Sequence, residues 1–208
     1  MRSILVTVVL TLVFGACGPR DPADYAVLSE DENTALKKSN IEVRLVGKVD
    51  EARLKQIANE LREDRSQIDN LWIFYYLSGM EVGKGAWATS HFTPDLVVEI
   101  VGNTKAEEET AKASPVAANE TVLGKWYEEQ VTRMGFTLLS REAKLYLRIS
   151  FPGGGSMDRE VRETAVQGTR RIDSVEPDSN GEYHVVEADG TLGLYGSDGR
   201  FAVAKPIE

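Results

Sequence analysis

Cysteine and histidine are almost absent from this chain of 208 residues, which has one cysteine, Cys17, and two histidines, His91 and His184. A single thiol excludes any disulfide within the chain, and it excludes metal sites built from pairs of cysteines. Because the two histidines lie far apart in the sequence, a zinc site would need carboxylate ligands as well. No G-x-S-x-G motif marks the nucleophile of a hydrolase.

Positive charge is also scarce, with 24 lysine and arginine residues against 33 aspartate and glutamate residues and a formal net charge of −9. An acidic surface of this kind argues against binding to nucleic acid and against electrostatic adsorption to anionic lipid. Hydrophobic residues make up 42% of the chain, which is enough to build a core. The length suits one or two small domains.

The first sixteen residues have the organisation of a secretory signal peptide. Arg2 and the amino terminus supply positive charge, an uncharged run from Ser3 to Phe14 follows, and two small residues then precede Cys17. As a helix this run would rise about 18 Å, well short of the ~30 Å hydrocarbon core of a bilayer. The pattern predicts a signal peptide over 1–16, and a buried core helix or strand is the alternative.

The sequence Phe14-Gly15-Ala16-Cys17 resembles the lipobox of bacterial lipoprotein precursors, with phenylalanine where leucine is usual. The resemblance implies cleavage before Cys17, a diacylglycerol group on its sulfur, and an amide-linked acyl chain such as palmitate. Several acyl chains together hold a protein durably on a bilayer. Because Gly18 replaces the aspartate that retains such proteins in the inner membrane, the resemblance favours the outer membrane, with the body in the periplasm or on the cell surface.

Two polar segments divide the rest of the chain. Residues 17–39 contain two early prolines and few large apolar side chains, which predicts a flexible tether behind the lipidated cysteine. Residues 103–120 contain no aromatic residue and a single large aliphatic residue, a composition typical of a linker. The expected domains are therefore an α+β domain over 40–102 and a β-rich domain over 121–208.

Apolar periodicity in the first domain predicts a small α+β sandwich in the order strand, helix, strand, strand, strand. Alternation from Ile41 to Leu45 indicates a half-buried strand. Asp50 is suited to cap a helix whose apolar positions follow the spacing i, i+3, i+4 and i+7. The continuous apolar run from Leu71 to Leu77 predicts a central strand that is covered on both faces.

The second domain has short strand-like segments separated by turn-forming residues and no helical pattern. Asp189-Gly190 and Asp198-Gly199 are hairpin signals, because both central residues of a type I′ turn need positive φ. This spacing predicts an all-β meander or a small barrel.

The segment from Tyr75 to Phe92 contains the most distinctive candidate site. It is similar to segments of exported bacterial proteins of unknown role, a resemblance that implies no activity. Glycines place Lys84 in a loop, and Trp87 and His91 follow four residues apart in a predicted strand, hence on one face. These three residues form a candidate surface for a ligand or partner. In the alternative, Trp87 packs in the core and the glycines only allow a long hairpin loop.

A nucleophile and base pair at Ser90 and His91 is not expected, because adjacent strand residues point to opposite faces of a sheet.

A partial calcium-loop pattern occurs near the end of the chain. Glu176, Asp178, Asn180, Gly181 and Glu187 match positions 1, 3, 5, 6 and 12 of the calcium-binding template. Glutamate at the first position, proline at the second and strand-like flanks favour a β-turn instead. The prediction is therefore no metal site here.

These observations favour a lipid-anchored protein of the bacterial cell envelope with a binding or structural-interaction role. The lipid on Cys17 would attach it to the membrane, an envelope protein is the candidate partner, and no cofactor is implied. The alternative is a small-ligand carrier, or an enzyme with a site near the Ser78–His91 loop or at the domain junction. A carrier pocket inside the β-rich domain would be lined by Leu138, Tyr146, Leu147 and Ile149.

Overall fold

The computed structural model describes residues 24–166, 168–176 and 180–208. Within these residues the chain forms a five-stranded sheet and then a closed eight-stranded barrel, together with two α-helices. This arrangement agrees with the expected α+β class and with the expected β-meander or barrel at the C-terminal end. The predicted signal peptide and Cys17 lie outside the described residues.

The first part of the chain, called the sheet unit below, has its five strands in chain order across the sheet. Strands β2 and β3 are parallel and are joined by α1, whereas all other neighbours are antiparallel. Its elements are β1 (Tyr25–Asn33), a short 3₁₀ turn (Thr34–Leu36), β2 (Lys38–Leu45), α1 (Glu51–Glu63), β3 (Asn70–Tyr76), β4 (Ala88–Phe92) and β5 (Leu96–Ile100).

Helix α1 covers one face of this sheet. Asp50 caps it as predicted, since its carboxylate accepts a 2.8 Å hydrogen bond from the backbone N–H of Arg53. The apolar positions of the helical pattern pack against alternate residues of the strands to form a single core. The helix contributes Leu54, Ile57, Ala58 and Leu61, all buried.

Strand β1 was not expected, because the predicted tether of residues 17–39 includes it. In the structure it pairs with β2 along most of its length and forms one edge of the sheet. Its sequence is rich in acidic residues, so it lacks the apolar alternation by which β2 is recognised. Charged side chains are common on edge strands, where they discourage pairing with other chains.

Strand β3 is central, as predicted, but only one of its faces is covered. Ile73 and Tyr75 point towards α1 and are fully buried. Trp72 and Phe74 point to the opposite side of the sheet and are partly exposed. We call this side of the sheet unit, away from α1, the open face. The expectation of cover on both faces is therefore wrong, because Trp72 and Phe74 remain accessible to solvent.

The predicted linker over 103–120 is structured and contains a helix. Helix α2 (Lys105–Lys112) begins with a capping box, in which the Thr104 hydroxyl accepts from the N–H of Glu107 and the Glu107 carboxylate accepts from the N–H of Thr104. The helix contacts β6, β7 and β8 of the barrel. Its one buried residue, Ala111, packs against Gly135, where a Cβ would come within 2.0 Å of the Ala111 carbonyl oxygen.

The barrel is an up-and-down meander in which each strand pairs with the next and the last pairs with the first. Its strands are β6 (Thr121–Tyr127), β7 (Gly135–Arg141), β8 (Lys144–Ser150), β9 (Ser156–Val166), β10 (Thr169–Ser174), β11 (Tyr183–Val186), β12 (Leu192–Gly196) and β13 (Gly199–Pro206).

Large apolar side chains from all around the barrel fill its interior and form one cluster. Leu138, Leu147 and Ile149 belong to this cluster, as expected for inward-facing residues. Tyr146 does not, because it lies outside the barrel with the Arg141 guanidinium 4.2 Å above its ring. Three of the four residues that we expected to line a carrier pocket inside the barrel therefore belong to its packed core, and the fourth, Tyr146, does not face the interior.

Hydrogen bonds from the side chain of Arg148 hold the segment between α2 and β6 on the outside of the barrel. The Arg148 guanidinium donates hydrogen bonds to the carboxylates of Glu120 and Asp158, and also to the carbonyl of Pro115. The side chains of Arg148 and Glu120 are only 10% and 1% exposed. The hydrogen bonds from Arg148 hold the pKa of both carboxyl groups below their usual values.

Candidate functional site

A cavity of about 330 Å³ lies where the sheet unit meets the barrel. We call it the junction cavity. Residues from four segments line it: the connection between β2 and α1, the loop between β3 and β4, the connection after β5, and the loop between β6 and β7. Its apolar wall consists of Leu77, Met80, Trp87 and Val101, and its charged groups are Lys48, Glu81, Lys84, Glu129 and Arg133.

Trp87 is the largest side chain of the apolar wall. It is 3% exposed, and its indole N–H donates a 3.1 Å hydrogen bond to the carbonyl of Asn103. The ring lies so close to Gly102 that a Cβ there would be 2.3 Å from the Trp87 Cδ1 atom. The glycine is thus required for the close approach, and the wall of the cavity is rigidly placed.

The loop between β3 and β4 closes one side of the junction cavity. Arg44 fastens it, because its Nη1 donates to the carbonyls of Leu77 and Met80, the latter at 2.9 Å. The backbone N–H of Gly83 donates a 3.1 Å hydrogen bond to the Tyr76 hydroxyl. Gly83 has a φ of +85°, a conformation that glycine adopts without strain. The two contacts hold the loop across one end of the open face.

Glu128 organises the barrel side of the junction cavity. Its side chain is buried, with the residue 3% exposed, and Oε2 accepts hydrogen bonds from the backbone N–H groups of Val131, Thr132 and Arg133, at 2.8, 2.6 and 3.2 Å. Oε2 also accepts from the Thr132 hydroxyl, while Oε1 accepts from the N–H of Gln130. One carboxylate therefore satisfies most of the donors of this loop and fixes the residues that face the cavity.

Hydrogen bonds connect the two sides of the junction. The Asn103 side-chain amide donates to the Tyr127 hydroxyl at 3.1 Å and to the Arg133 carbonyl at 2.9 Å. Arg133 in turn donates to the carbonyl of Val101 at 2.6 Å. Burial raises the pKa of Tyr127 to about 12, despite the hydrogen bond from Asn103, which acts in the opposite direction.

A further ion pair joins the sheet unit to α2 beside the cavity. Lys48 Nζ lies 2.5 Å from the Glu108 carboxylate, and the Lys48 side chain is only 8% exposed. Burial alone would raise the pKa of Glu108, but hydrogen bonds from Lys112 and Lys48 outweigh it and lower the pKa. The charge on Lys48 is therefore neutralised in a buried pair, whereas the basic groups at the exposed rim are Lys84, which pairs with Glu81, and Arg133, which donates to a backbone carbonyl.

The structure brings together two of the three predicted site residues. Lys84 is exposed on the cavity rim and forms a 3.0 Å ion pair with Glu81. Trp87 forms part of the cavity wall and also packs in the core of the sheet unit, as the alternative prediction stated. His91 is elsewhere, on the open face, where its ring stacks on Trp72 with a centroid distance of 4.3 Å.

Ser90 and His91 point to opposite faces of β4, as predicted. Ser90 is fully buried on the side of α1, whereas His91 is partly exposed on the open face.

The calcium-loop residues are only partly visible, because Asp178 lies outside the described residues. The Glu187 carboxylate accepts a 2.8 Å hydrogen bond from the Tyr195 hydroxyl. Within the described residues, no group of three histidine, cysteine, aspartate or glutamate side chains is arranged to hold a metal ion.

Sequence reasoning missed Glu128, Asn103 and Arg133. Glu128 stands in a charged run after β6 that resembles a solvated strand end, and Asn103 falls in the segment assigned as a linker. Their roles depend on the meeting of segments that are distant in sequence, so no local pattern indicates them.

Comparison of the chain with protein-family models, with curated proteins and with solved structures finds no match. Neither of the α-helices in the described part of the chain is long and apolar enough to span a bilayer.

Proposed function

We propose that this protein is a lipid-anchored binding protein of the bacterial cell envelope and that the junction cavity is its ligand site. The anchor rests on the lipobox resemblance of residues 14–17, with Cys17 as the acylated residue and Gly18 favouring the outer membrane. The binding role rests on one observation: a cavity walled by both parts of the fold, with its loops fixed by Arg44 and Glu128.

The cavity indicates the chemical class of the ligand. Its volume of about 330 Å³ is at the small end of the range for ligand pockets, so a small molecule fits and a polymer does not. Trp87 and Met80 offer apolar contact, while Lys84 and Arg133 place basic groups beside Glu129 at the rim. A small molecule with an apolar part and charged groups of both signs would match these walls.

Native mass spectrometry of the full chain, purified from its host membranes in a mild detergent, tests the ligand site. We expect a bound small molecule on the wild-type protein. Ala86→Phe fills the cavity from its wall and should abolish this extra mass. Ala118→Phe makes the same change at an exposed position away from the cavity and should retain it. A wild-type protein without bound mass, or an Ala86→Phe variant that keeps it, would contradict the proposal.

Intact-mass measurement of the protein from a bacterial membrane fraction tests the anchor separately. The expected product begins at Cys17 and carries the mass of a diacylglycerol group and an acyl chain, whereas Cys17→Ser should remain unprocessed. A product that still begins at Met1, or a cleaved product with an unmodified thiol, would refute the lipid anchor while leaving the junction cavity as a ligand site.

A further inference from the structure

Three aromatic side chains form a ridge on the open face of the sheet unit. Trp72 on β3 is in register with His91 on β4, and the two rings stack with centroids 4.3 Å apart and planes 16° from parallel. Phe74 lies two residues further along β3, with its ring centroid 6.3 Å from that of Trp72. All three side chains are partly exposed, and Val97, in register with His91, is 48% exposed. We call Trp72, Phe74 and His91 the aromatic ridge.

Carboxylates flank the aromatic ridge on both sides. Glu42 on β2 is in register with Phe74, and Asp31 on the edge strand β1 points to the same face. On the other side, Glu99 of β5 belongs to the same cross-strand row as Phe74 and is exposed. The aromatic ridge therefore lies between acidic groups in a chain whose net charge is −9.

The basic residues that β2 contributes to this face do not neutralise the acidic groups. Arg44 uses its guanidinium to hold the carbonyls of Leu77 and Met80, so it is committed to the loop that it fastens. Lys38 lies at the start of β2, in register with Asn70 and beyond the last ring of the ridge.

This combination selects one kind of occupant. A second copy of the same face, an anionic membrane or a nucleic acid would bring like charges together. A guanidinium stacks on aromatic rings, and its fork of N–H donors matches a carboxylate, so arginine satisfies both features of the face at once. The five strands span about 19 Å, which is wider than a single arginine side chain can cover. The ligand therefore has to present more than one such side chain.

The spacing of the rings suits an extended chain. Alternate side chains of an extended segment lie about 6.6 Å apart, close to the 6.3 Å between the centroids of Trp72 and Phe74. We propose that the aromatic ridge and its carboxylates bind an extended segment of a partner protein in which every second residue is arginine, because alternate side chains of such a segment face the ridge together. The ridge shares no residue with the junction cavity lining, so this inference does not depend on the proposed ligand site.

Fluorescence anisotropy with the full chain tests the inference. The probe is a labelled peptide, acetyl-GRVRVRG-amide, compared with acetyl-GKVKVKG-amide and acetyl-GEVEVEG-amide. We expect the arginine peptide to bind, the lysine peptide of equal charge to bind severalfold more weakly, and the glutamate peptide not to bind. Trp72→Ala should weaken binding of the arginine peptide about fivefold or more.

Two further variants complete the design. Phe201→Ala removes another exposed aromatic side chain, on the barrel, and should leave binding unchanged. Glu99→Lys reverses an exposed charge and should weaken binding even if Trp72→Ala fails to fold. Equal binding of the arginine and lysine peptides, no binding of the arginine peptide, or wild-type binding by folded Trp72→Ala or by Glu99→Lys would overturn the inference. So would a dimer, seen by analytical ultracentrifugation, that Trp72→Ala abolishes, since the face would then bind a second copy.

Discussion

Glu128 provides the sharpest test of how the junction cavity is built. Four donors, three backbone N–H groups and one hydroxyl, converge on its Oε2 atom, and a fifth donor reaches Oε1. A hydrogen bond to a charged group contributes about 1.5–3 kcal/mol, but the five are not additive, because an opened loop would expose its N–H groups to water. We therefore expect Glu128→Ala to lower the free energy of unfolding by about 3–4 kcal/mol.

Glu128→Gln separates charge from shape. Its amide oxygen can take the position of Oε2 and accept from the same four donors, while its NH₂ group would face the N–H of Gln130 and lose that bond. Neutral hydrogen bonds are weaker than charge-assisted ones but are not absent, so we expect a loss of about 1–2 kcal/mol. Glu129→Ala changes the exposed neighbouring carboxylate and should stay within about 0.5 kcal/mol of the wild type.

Urea unfolding followed by tryptophan fluorescence measures these changes, and hydrogen exchange of the backbone amides of residues 130–133 localises them. The expected order of stability is wild type and Glu129→Ala, then Glu128→Gln, then Glu128→Ala, with loss of amide protection in the last. If Glu128→Ala were as mild as Glu129→Ala, or if glutamine cost as much as alanine, the carboxylate would not organise this loop.

The contacts at the junction and in the cores predict the effects of two further substitutions and of high pH. Gly135→Ala should destabilise the protein by about 1–3 kcal/mol in the same urea titration, because its Cβ would lie 2.0 Å from a backbone oxygen of α2. The control Gly153→Ala, whose Cβ meets nothing within 4 Å, should be nearly neutral. Arg148→Met should lower the thermal midpoint by a few degrees, because Glu120 and Asp158 lose their main hydrogen-bond donor and keep Arg141 Nη1, at 3.0 and 3.3 Å, as their charged partner. In an ultraviolet titration Tyr75 and Tyr127, each with a pKa raised by burial to about 12, should ionise late. Because the unfolded pKa is near 10, their contribution to stability is complete below pH 10 and is lost as the pH rises towards 12.

The sequence predicted those helices and strands that have a recognisable apolar periodicity, capping residue or turn motif within a short segment. The alternation in β2, the cap at Asp50 and the spacing of apolar residues in α1 are all properties of short segments, and each matches the structure. The turn signals at Asp189-Gly190 and Asp198-Gly199 likewise predicted hairpins, which the barrel contains. Closure of the barrel depends on the pairing of β13 with β6, which are distant in the sequence. The local pattern therefore could not decide between an open meander and a closed barrel.

The missed elements lack an apolar pattern for physical reasons. Strand β1 lies at a sheet edge and obtains its order from backbone pairing with β2, so acidic residues are tolerated along it. Helix α2 is short and buries only Ala111. Because it contains no large apolar residue, its composition resembles that of a linker. One signal was available, because Thr104 and Glu107 have the spacing of a capping box. That pair indicates a helix start inside the segment assigned as a linker.

The grouping of Lys84, Trp87 and His91 shows what a strand period can and cannot establish. His91 is the fourth residue after Trp87, but β4 begins at Ala88. The strand period therefore does not extend to Trp87, whose ring is instead fixed against Gly102. A combined substitution of the three would therefore damage the junction cavity and the aromatic ridge together. Ala86→Phe changes only the cavity lining, and Trp72→Ala changes only the ridge. Used separately in place of the combined substitution, these two variants test the cavity and the ridge independently of each other.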